Sequence, residues 1–207
     1  MADQIIARIT DEDLLALGKH VKTWVRDGEL IILSPNKAEH GAHNAKVVNF
    51  LATFVVVRDL GRIFTEMTTF NLEVDSEGGI KDSVAPDIAF VSYERLPRDA
   101  SLDLIPRVAP ELVVENMSPS ESLSDTLEKA QYYLEHGVLF VWLLNARRRE
   151  VRAFSHSDRK GTVLSIKDEV KGEGILEGFA VPVRAIFGED NELQVKVLRK
   201  LMVTGKS

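Results

Sequence analysis

Two acidic residues belong to short apolar runs of the chain, where a carboxylate is costly to bury. Asp87 lies in the run 85–91 and Glu115 ends the run 111–115, and both runs are rich in β-branched residues, which predicts two buried strands. A buried acid costs several kcal/mol unless a cation or hydrogen bonds compensate it. Mg²⁺ binds such carboxylate oxygens, so the pair predicts a divalent-metal site. The alternative is that Asp87 caps a turn after Pro86 while Glu115 pairs with a surface lysine.

Lys129 and Tyr133 follow on a helix predicted to end at Gly137, which suits the position after a helix terminus. Being four residues apart, the two side chains are neighbours on one face of that helix. A lysine here would stabilise charge on a phosphoryl oxygen or orient a nucleophilic water. The alternative is a solvated lysine paired with Glu128 or Asp125. An adjacent apolar stripe is expected to pack on the sheet: Leu123, Leu127, Ala130 and Leu134.

Glu39 and His40 stand near the start of a long helix predicted over 37–60 and are candidate accessory residues. An acid near a helix N-terminus also favours the helix dipole, and histidines there are often surface residues, so both alternatives stay open. The basic run 147–149 lies at a predicted turn between strands, where it could contact phosphates or form a solvated hairpin tip.

The elements that must position these residues follow from periodicity and turn signals. Before the Asp87 strand, the chain is predicted to form a helix capped by Thr10, a turn at 25–29, a strand at 30–33, the long helix, one strand at 62–72 and a surface turn at 75–81. A loop with a short helix at 93–109 leads to the Glu115 strand and the Lys129 helix. A central strand at 138–144, a hairpin of 150–155 with 162–167 and an amphipathic helix at 189–203 follow. This order predicts one domain over residues 1–207 with a mixed sheet flanked by helices, an α/β (α+β) fold.

Composition limits the function classes. With 44% hydrophobic and 28% charged residues the chain is typical of a soluble globular protein, and no apolar run approaches the roughly 20 residues of a membrane span. The absence of cysteine excludes disulfides, thiolate zinc sites and cysteine nucleophiles, and fits a cytoplasmic location. A net charge of −6 has the wrong sign for a general nucleic-acid binder, so a polyanion partner would need a local basic patch or a metal-neutralised site.

At these residues the sequence resembles the Uma family, described as "putative restriction endonucleases", a branch of the PD-(D/E)XK nuclease superfamily. The resemblance spans about residues 10–187, and the order and spacing of its pieces are more specific than any single piece. Those pieces are Asp27-Gly28-Glu29, Ser34-Pro35 with His40, Pro86-Asp87, Val113-Val114-Glu115 leading to Ser118-Pro119-Ser120, Lys129 with Tyr133, Gly137-Val138 with Trp142, and Gly178-Phe179.

The resemblance implies a restriction-endonuclease-like core, about residues 10–187, whose central strands present Asp87 and Glu115 to Mg²⁺ or Mn²⁺. The motif's lysine would stand at Met117, and Lys129 on the following helix is the matching position instead. Asn116 stands where an apolar residue is usual, but its backbone carbonyl stays available as a metal ligand. Asn145 stands where an Asp would be expected.

From the resemblance we expect a Mg²⁺-dependent endonuclease that hydrolyses DNA, with metal on Asp87 and Glu115 and with Lys129 stabilising the transition state. A homodimer is also expected. The alternative is a nuclease fold that no longer cuts and serves as a binding or assembly module. If the two acids repel each other without a compensating cation, Asp87→Asn should leave the metal-free protein as stable or more stable.

Overall fold

A six-stranded mixed sheet forms the centre of the protein. The computed structural model describes residues 8–17, 22–32, 38–66, 68–117 and 122–203. Neighbouring strands of the sheet are antiparallel except β7 (Leu112–Asn116) and β8 (Phe140–Asn145), which are parallel. In spatial order the strands are β10 (Thr162–Leu164), β9 (Glu150–Ser155), β8 (Phe140–Asn145), β7 (Leu112–Asn116), β6 (Ile88–Ser92) and β3 (Gly61–Thr65).

In the described part of the chain, two smaller sheets and five α-helices surround the central sheet. The four-stranded sheet has the order β2 (Glu29–Ile32), β1 (Thr23–Arg26), β5 (Ile80–Val84) and β4 (Phe70–Val74), and a two-stranded sheet joins β11 (Glu169–Lys171) to β12 (Ala180–Pro182). The helices are α1 (Asp11–Ala16), α2 (Ala38–Arg58), α3 (Leu123–Glu135), α4 (Val183–Phe187) and α5 (Asn191–Met202).

The two faces of the central sheet pack against different layers. Ile88 and Phe90 of β6 belong to a core shared with α2, α4 and α5, whereas Ala89 and Val91 belong to a second core shared with α3 and the four-stranded sheet. This division follows from the alternation of side chains along a strand. The predicted mixed sheet flanked by helices is therefore confirmed, and β6 and β7 are buried on both faces.

Several local predictions match the structure. Thr10 forms a capping box with Asp13 at the start of α1. Asp27 and Gly28 both have positive φ, as a type I′ hairpin turn requires, and they join β1 to β2. The parallel strands β7 and β8 are connected through α3, which ends before Gly137 with φ +88°. The apolar stripe of α5 packs on the core beside α2.

The prediction of a single strand over 62–72 is wrong. β3 ends at Thr65, a backbone hydrogen bond from Thr68 to Thr65 closes a turn, and β4 begins at Phe70 in a different sheet. Alternation of apolar residues is the same in one long strand and in two short ones, so the pattern could not separate them.

The short helix expected within 93–109 is also wrong, because that stretch, described throughout, consists of turns and bends. The guanidinium of Arg62 donates hydrogen bonds to the carbonyl oxygens of Leu96, Pro97 and Arg98 over 2.7–3.1 Å. A side chain thus satisfies backbone groups that a helix would otherwise have paired.

Some strands were not recognised from the sequence. β1 covers the Val25 and Arg26 that the turn prediction had included, and β5 begins at Ile80, within the stretch expected to be a surface turn. The β11–β12 pair and α4 had no counterpart in the predictions. The strands in this group are three to five residues long, too short for periodicity to identify them.

Candidate metal centre

Asp87 lies immediately before β6 and is buried, with 3% of its side chain exposed. Because Ile88 pairs with Val114 in the antiparallel ladder, Asp87 stands across from Glu115 of β7. Its Oδ2 accepts hydrogen bonds from the Asn116 backbone N–H and from His40 Nε2, both at 2.9 Å. Its Oδ1 accepts from Lys22 Nζ at 2.6 Å.

These partners set the protonation of Asp87. Burial alone would raise the pKa of the carboxyl, but the hydrogen bond from His40 and the positive charge of Lys22 together hold that pKa well below its ordinary value. The same carboxylates act in return on Lys22: burial opposes its charge, yet Glu115, Asp87 and Glu66 together raise the pKa of its ammonium. Asp87 is therefore an ionised, paired carboxylate.

Glu115 is buried on β7 with 5% of its side chain exposed. The Tyr133 hydroxyl donates a hydrogen bond of 2.5 Å to Oε1, and Lys129 Nζ lies 3.0 Å from Oε2. Burial raises the pKa of Glu115; Lys129 opposes this rise and the charge of Asp87 adds to it. Burial and the neighbouring Glu115 also raise the pKa of Tyr133 well above its ordinary value, so the phenol remains a hydrogen-bond donor.

Lys129 and Tyr133 reach Glu115 because α3 packs across the sheet between β7 and β8. Ser122 and Asp125 form the capping box that starts α3, which fixes the register of the helix. Lys129 Nζ also lies 4.7 Å from the ring centroid of Trp24 on β1. Lys129 thus pairs with Glu115 rather than with Glu128 or Asp125, the alternative considered from the sequence.

The predicted sheet-facing stripe of α3 is only partly correct. Ala130 and Leu134 are buried and Leu127 is half-buried, but Leu123 is exposed. Tyr133, expected on an adjacent face, is fully buried. The buried surface of α3 is wider than the stripe because the four-stranded sheet covers a second side of the helix, where Trp24 contacts Tyr133 edge to face.

His40 on the first turn of α2 is buried beside Asp87. Its Nε2 lies 2.9 Å both from Asp87 Oδ2 and from the backbone carbonyl oxygen of Asn116. Its Nδ1 lies 3.5 Å from Glu66 Oε1. Burial would lower the pKa of His40, but the hydrogen bond to Asp87 and the charges of Asp87 and Glu66 raise it. His40 therefore joins α2 to the ends of β3, β6 and β7.

Asn116 completes this junction. Its side-chain amide donates to the backbone carbonyl of His40 at 3.2 Å and to Asn44 Oδ1 at 3.3 Å. Its carbonyl oxygen, the expected metal ligand, faces His40 Nε2 and keeps a second lone pair.

Glu39 does not join the cluster. It is exposed on α2, and its side chain forms no hydrogen bond or ion pair with any residue that the structure describes.

Three residues of the centre were missed from the sequence: Lys22, Asn44 and Glu66. Glu66 lies in the centre because it directly follows the end of β3. Asn44 Nδ2 donates a hydrogen bond to Glu66 Oε1 at 2.9 Å. Asn44 follows His40 by four residues on the predicted helix, a spacing that could have identified it. Lys22 carried no signal, since a single lysine before an unrecognised strand is indistinguishable from a surface residue.

The donor set fits a hard divalent cation. His40, Glu66 and Asp87 each offer one ligand atom, and these atoms lie within 4.8 Å of one another. Glu115, the second buried carboxylate, stands opposite Asp87 but is not part of this group of three. Carboxylate and carbonyl oxygens are the ligands that Mg²⁺ takes, and Mn²⁺ accepts an imidazole as well.

A shallow groove lies at the end of the central sheet next to these acids. Leu143, which pairs with Glu115, and Met117, two residues beyond it, lie at one side. Arg148 and Arg152 from the β8–β9 hairpin line the groove as well, together with Glu150. The predicted turn at 147–149 is confirmed, with Arg149 at positive φ.

The fold of this chain is that of a nuclease-like protein. It is similar to the crystal structure of a "putative nuclease belonging to DUF820" from Anabaena variabilis, with a TM-score of 0.70 and 19% identity over 86% of this chain and 97% of that chain. Residues 11–184 match the model of the Uma2 family, described as "Putative restriction endonuclease", and the chain belongs to this family. A search of curated proteins gave no match. Within the described residues, no helix is both long and apolar enough to cross a membrane.

Proposed function

We propose that this protein is a Mg²⁺-dependent endonuclease that hydrolyses phosphodiester bonds of DNA. The observation that carries the proposal is the pair of buried carboxylates, Asp87 and Glu115, opposite each other on neighbouring strands of a nuclease-like fold, each held by a cationic side chain. Membership of a family described as restriction endonucleases supports DNA as the substrate class.

Asp87, Glu115 and the carbonyl oxygen of Asn116 would hold the metal. Bound there, Mg²⁺ or Mn²⁺ would supply positive charge to polarise a phosphoryl oxygen and lower the pKa of a water. Tyr133 orients Glu115 through its 2.5 Å hydrogen bond, and His40 orients Asp87 from the opposite side. Lys129, close to Glu115, would place its ammonium beside the negative charge that develops on the phosphoryl group.

The cleavage test uses supercoiled plasmid and single-stranded DNA with Mg²⁺ or Mn²⁺ at low salt, where charge screening is weakest. Wild type should cut, and both EDTA and Asp87→Asn should abolish cutting. Glu111→Gln is a matched control, because Glu111 is also a buried acid with a hydroxyl partner, Ser92, and a cationic partner, Arg95, but precedes β7, at the opposite end of that strand from Glu115. Cleavage by Asp87→Asn at the wild-type rate would reject the proposal.

A second candidate is a nuclease-fold module that binds nucleic acid without cutting. The observation in its favour is that Lys22 and Lys129 already pair with the two carboxylates, so the centre is charge-compensated by the protein itself. DNA binding by wild type, with neither metal binding nor cleavage under any of the conditions above, would favour this module.

We also propose a cytoplasmic location and a homodimer. The lack of cysteine supports the location.

The apolar stripe of α5 cannot supply the interface of the proposed homodimer, since Val197 and Leu201 are buried in the core beside α2. Light scattering on the full chain tests the proposed homodimer, and a monomeric mass would contradict it.

A further inference from the structure

Lys22 lies at the centre of the carboxylate cluster, although it comes from the segment before β1. Its side chain is 12% exposed, and its Nζ makes an ion pair of 2.6 Å with Asp87 Oδ1. Trp24, two residues further along and so on the same side of the strand, contacts Lys129 and Tyr133. The segment that leads into β1 therefore places Lys22 beside Asp87, and β1 places the Trp24 ring against Lys129.

The two oxygens of Asp87 are occupied differently. Oδ2 accepts hydrogen bonds from the Asn116 backbone and from His40, and these contacts tie together β6, β7 and α2. Oδ1 has Lys22 as its only hydrogen-bond partner among the residues that the structure describes. A cation that binds Asp87 without breaking the junction of β6, β7 and α2 must therefore bind Oδ1.

A divalent cation and the Lys22 ammonium would compete for that oxygen. Mg²⁺ binds carboxylate oxygens at about 2.0–2.1 Å. An ammonium held 2.6 Å from the same atom would then lie only about 4 Å from a doubly charged ion, and like charges at that distance repel strongly in a buried site.

We propose that Lys22 fills the cation position of this centre in the metal-free protein and is displaced from Asp87 Oδ1 when a divalent cation binds. The inference rests on the metal site of the proposed function. The ammonium lets Asp87, Glu115 and Glu66 lie together without metal, because it compensates their charge. Metal affinity is consequently set by an exchange of cations, in which the long flexible stem of Lys22 moves its head group out of the cluster.

The first test compares the affinity of the metal-free proteins for Mn²⁺ by calorimetry. Lys22→Met should bind Mn²⁺ about tenfold more tightly or better, because it leaves a buried carboxylate without its competing cation. Lys46→Met is the matched control: Lys46 is similarly covered, with 13% exposed, and pairs with Glu189 at 2.7 Å outside the centre. Its Mn²⁺ affinity should equal that of wild type.

The second test uses wild type alone and decides the question if Lys22→Met fails to fold. Reductive methylation of lysines is followed residue by residue with peptide mass spectrometry, with and without Mg²⁺. Mg²⁺ should raise the methylation rate of Lys22, since its ammonium leaves the ion pair, and should leave the rate of Lys46 unchanged.

The outcomes separate this inference from the metal site itself. Equal or weaker Mn²⁺ binding by Lys22→Met, or a methylation rate of Lys22 that does not respond to Mg²⁺ in a protein that binds the ion, overturns the exchange and leaves the metal site standing. Absence of Mn²⁺ and Mg²⁺ binding to every form overturns both.

Discussion

Asp87 and Glu115 stand opposite each other on neighbouring strands, yet their surroundings move their pKa values in opposite directions. For Asp87, the hydrogen bond from His40 and the charge of Lys22 outweigh burial and lower the pKa. For Glu115, complete burial dominates over the charge of Lys129 and raises the pKa. Asp87 is therefore ionised before a metal arrives, whereas Glu115 gains most from a cation that compensates its burial.

This geometry reverses the sequence-based expectation for Asp87→Asn in the absence of metal. The acids are not an uncompensated like-charged pair, because Asp87 is held by Lys22, His40 and the backbone of Asn116. We expect the variant to lose about 3 kcal/mol of unfolding free energy, since it leaves a largely buried ammonium without its partner. Urea unfolding without metal measures the loss.

The same variant should also show no rise in Tm on adding Mn²⁺, whereas wild type should rise, as a ligand that prefers the folded state requires. Glu111→Gln serves as the control and should keep the Mn²⁺ effect, because Glu111 is a buried acid outside the centre. A metal-free Asp87→Asn protein as stable as wild type would contradict the ion-pair account.

Lys129→Ala should fold and bind metal but lose cleavage by roughly 10²–10³ in rate, the usual cost of removing one electrostatic stabiliser. Glu115 keeps its hydrogen bond from Tyr133 in this variant, so the carboxylate proposed to bind the metal stays oriented. Lys129→Arg should not restore the full rate, because a planar guanidinium places its charge differently from a compact ammonium. Lys46→Ala is the control for removal of a largely covered lysine. Wild-type cleavage by Lys129→Ala would remove Lys129 from the mechanism.

At the scale of elements, helix α2 contributes both to the hydrophobic core and to the carboxylate cluster. Phe50, Leu51 and Phe54 bury one face in the core against the sheet. The first two turns of the same helix place His40 and Asn44 beside the carboxylates. Helical periodicity predicted α2 at 37–60, close to the observed Ala38–Arg58, because its apolar positions recur over successive turns.

His43 couples the start of α2 to α4, where its ring contacts Phe187 edge to face at 5.2 Å. Its Nδ1 is buried and has no hydrogen-bond partner among the residues that the structure describes. Burial lowers the pKa of His43. The positive charges of Lys46 and His40 lower it further, and the negative charges of Glu39 and Glu189 partly offset the shift. The folded protein therefore binds this proton less readily than the unfolded chain does.

It follows that the contribution of His43 to stability is complete above the unfolded pKa of about 6.5 and is lost as the pH falls through the lower folded pKa. Between about pH 7.5 and 5, wild type should lose more unfolding free energy than His43→Leu, which cannot titrate there. His40 has the opposite sign, because its pKa is raised, but it is present in both proteins and cancels in the comparison. Denaturant unfolding across this pH range measures the difference; identical pH profiles would contradict it.

At the scale of the whole molecule, a net charge of −6 requires that any DNA contact be local. The groove lined by Met117 offers such a place, since Arg148 and Arg152 also line it. Among the residues that the structure describes, the Arg148 guanidinium pairs loosely with Glu150 at 3.8 Å, and Arg152 Nε donates to the Gly161 carbonyl at 3.2 Å.

We expect the double variant Arg148→Gln, Arg152→Gln to bind DNA more weakly and with a shallower dependence on salt. The slope should fall by about one unit for each phosphate that an arginine no longer neutralises. Fluorescence anisotropy over a salt series measures both quantities. Arg107→Gln is the control. Arg107 precedes β7 in the chain and pairs with Asp11 of α1, whereas the groove lies beyond the other end of β7. An unchanged slope in the double variant would exclude the groove from the DNA path.

The sequence by itself determined the elements that carry the chemistry. Buried apolar runs around Asp87 and Glu115, the four-residue spacing of Lys129 and Tyr133, and the glycine after α3 are local signals, because strand alternation, helical spacing and positive φ depend on residues close in the chain. The breaks within 62–72 and 93–109 escaped prediction, since they depend on which sheet a strand joins and on the guanidinium of Arg62.

Only the tertiary structure decided which side chains surround the acids. Lys22 and Asp87 are 65 residues apart in the chain, and His40 and Asn116 are 76 apart. Their contacts arise because β1 and α2 pack on opposite faces of the central sheet at the end where Asp87 and Glu115 stand. The direction of each pKa shift follows from those long-range neighbours and from burial, and neither is encoded in local spacing.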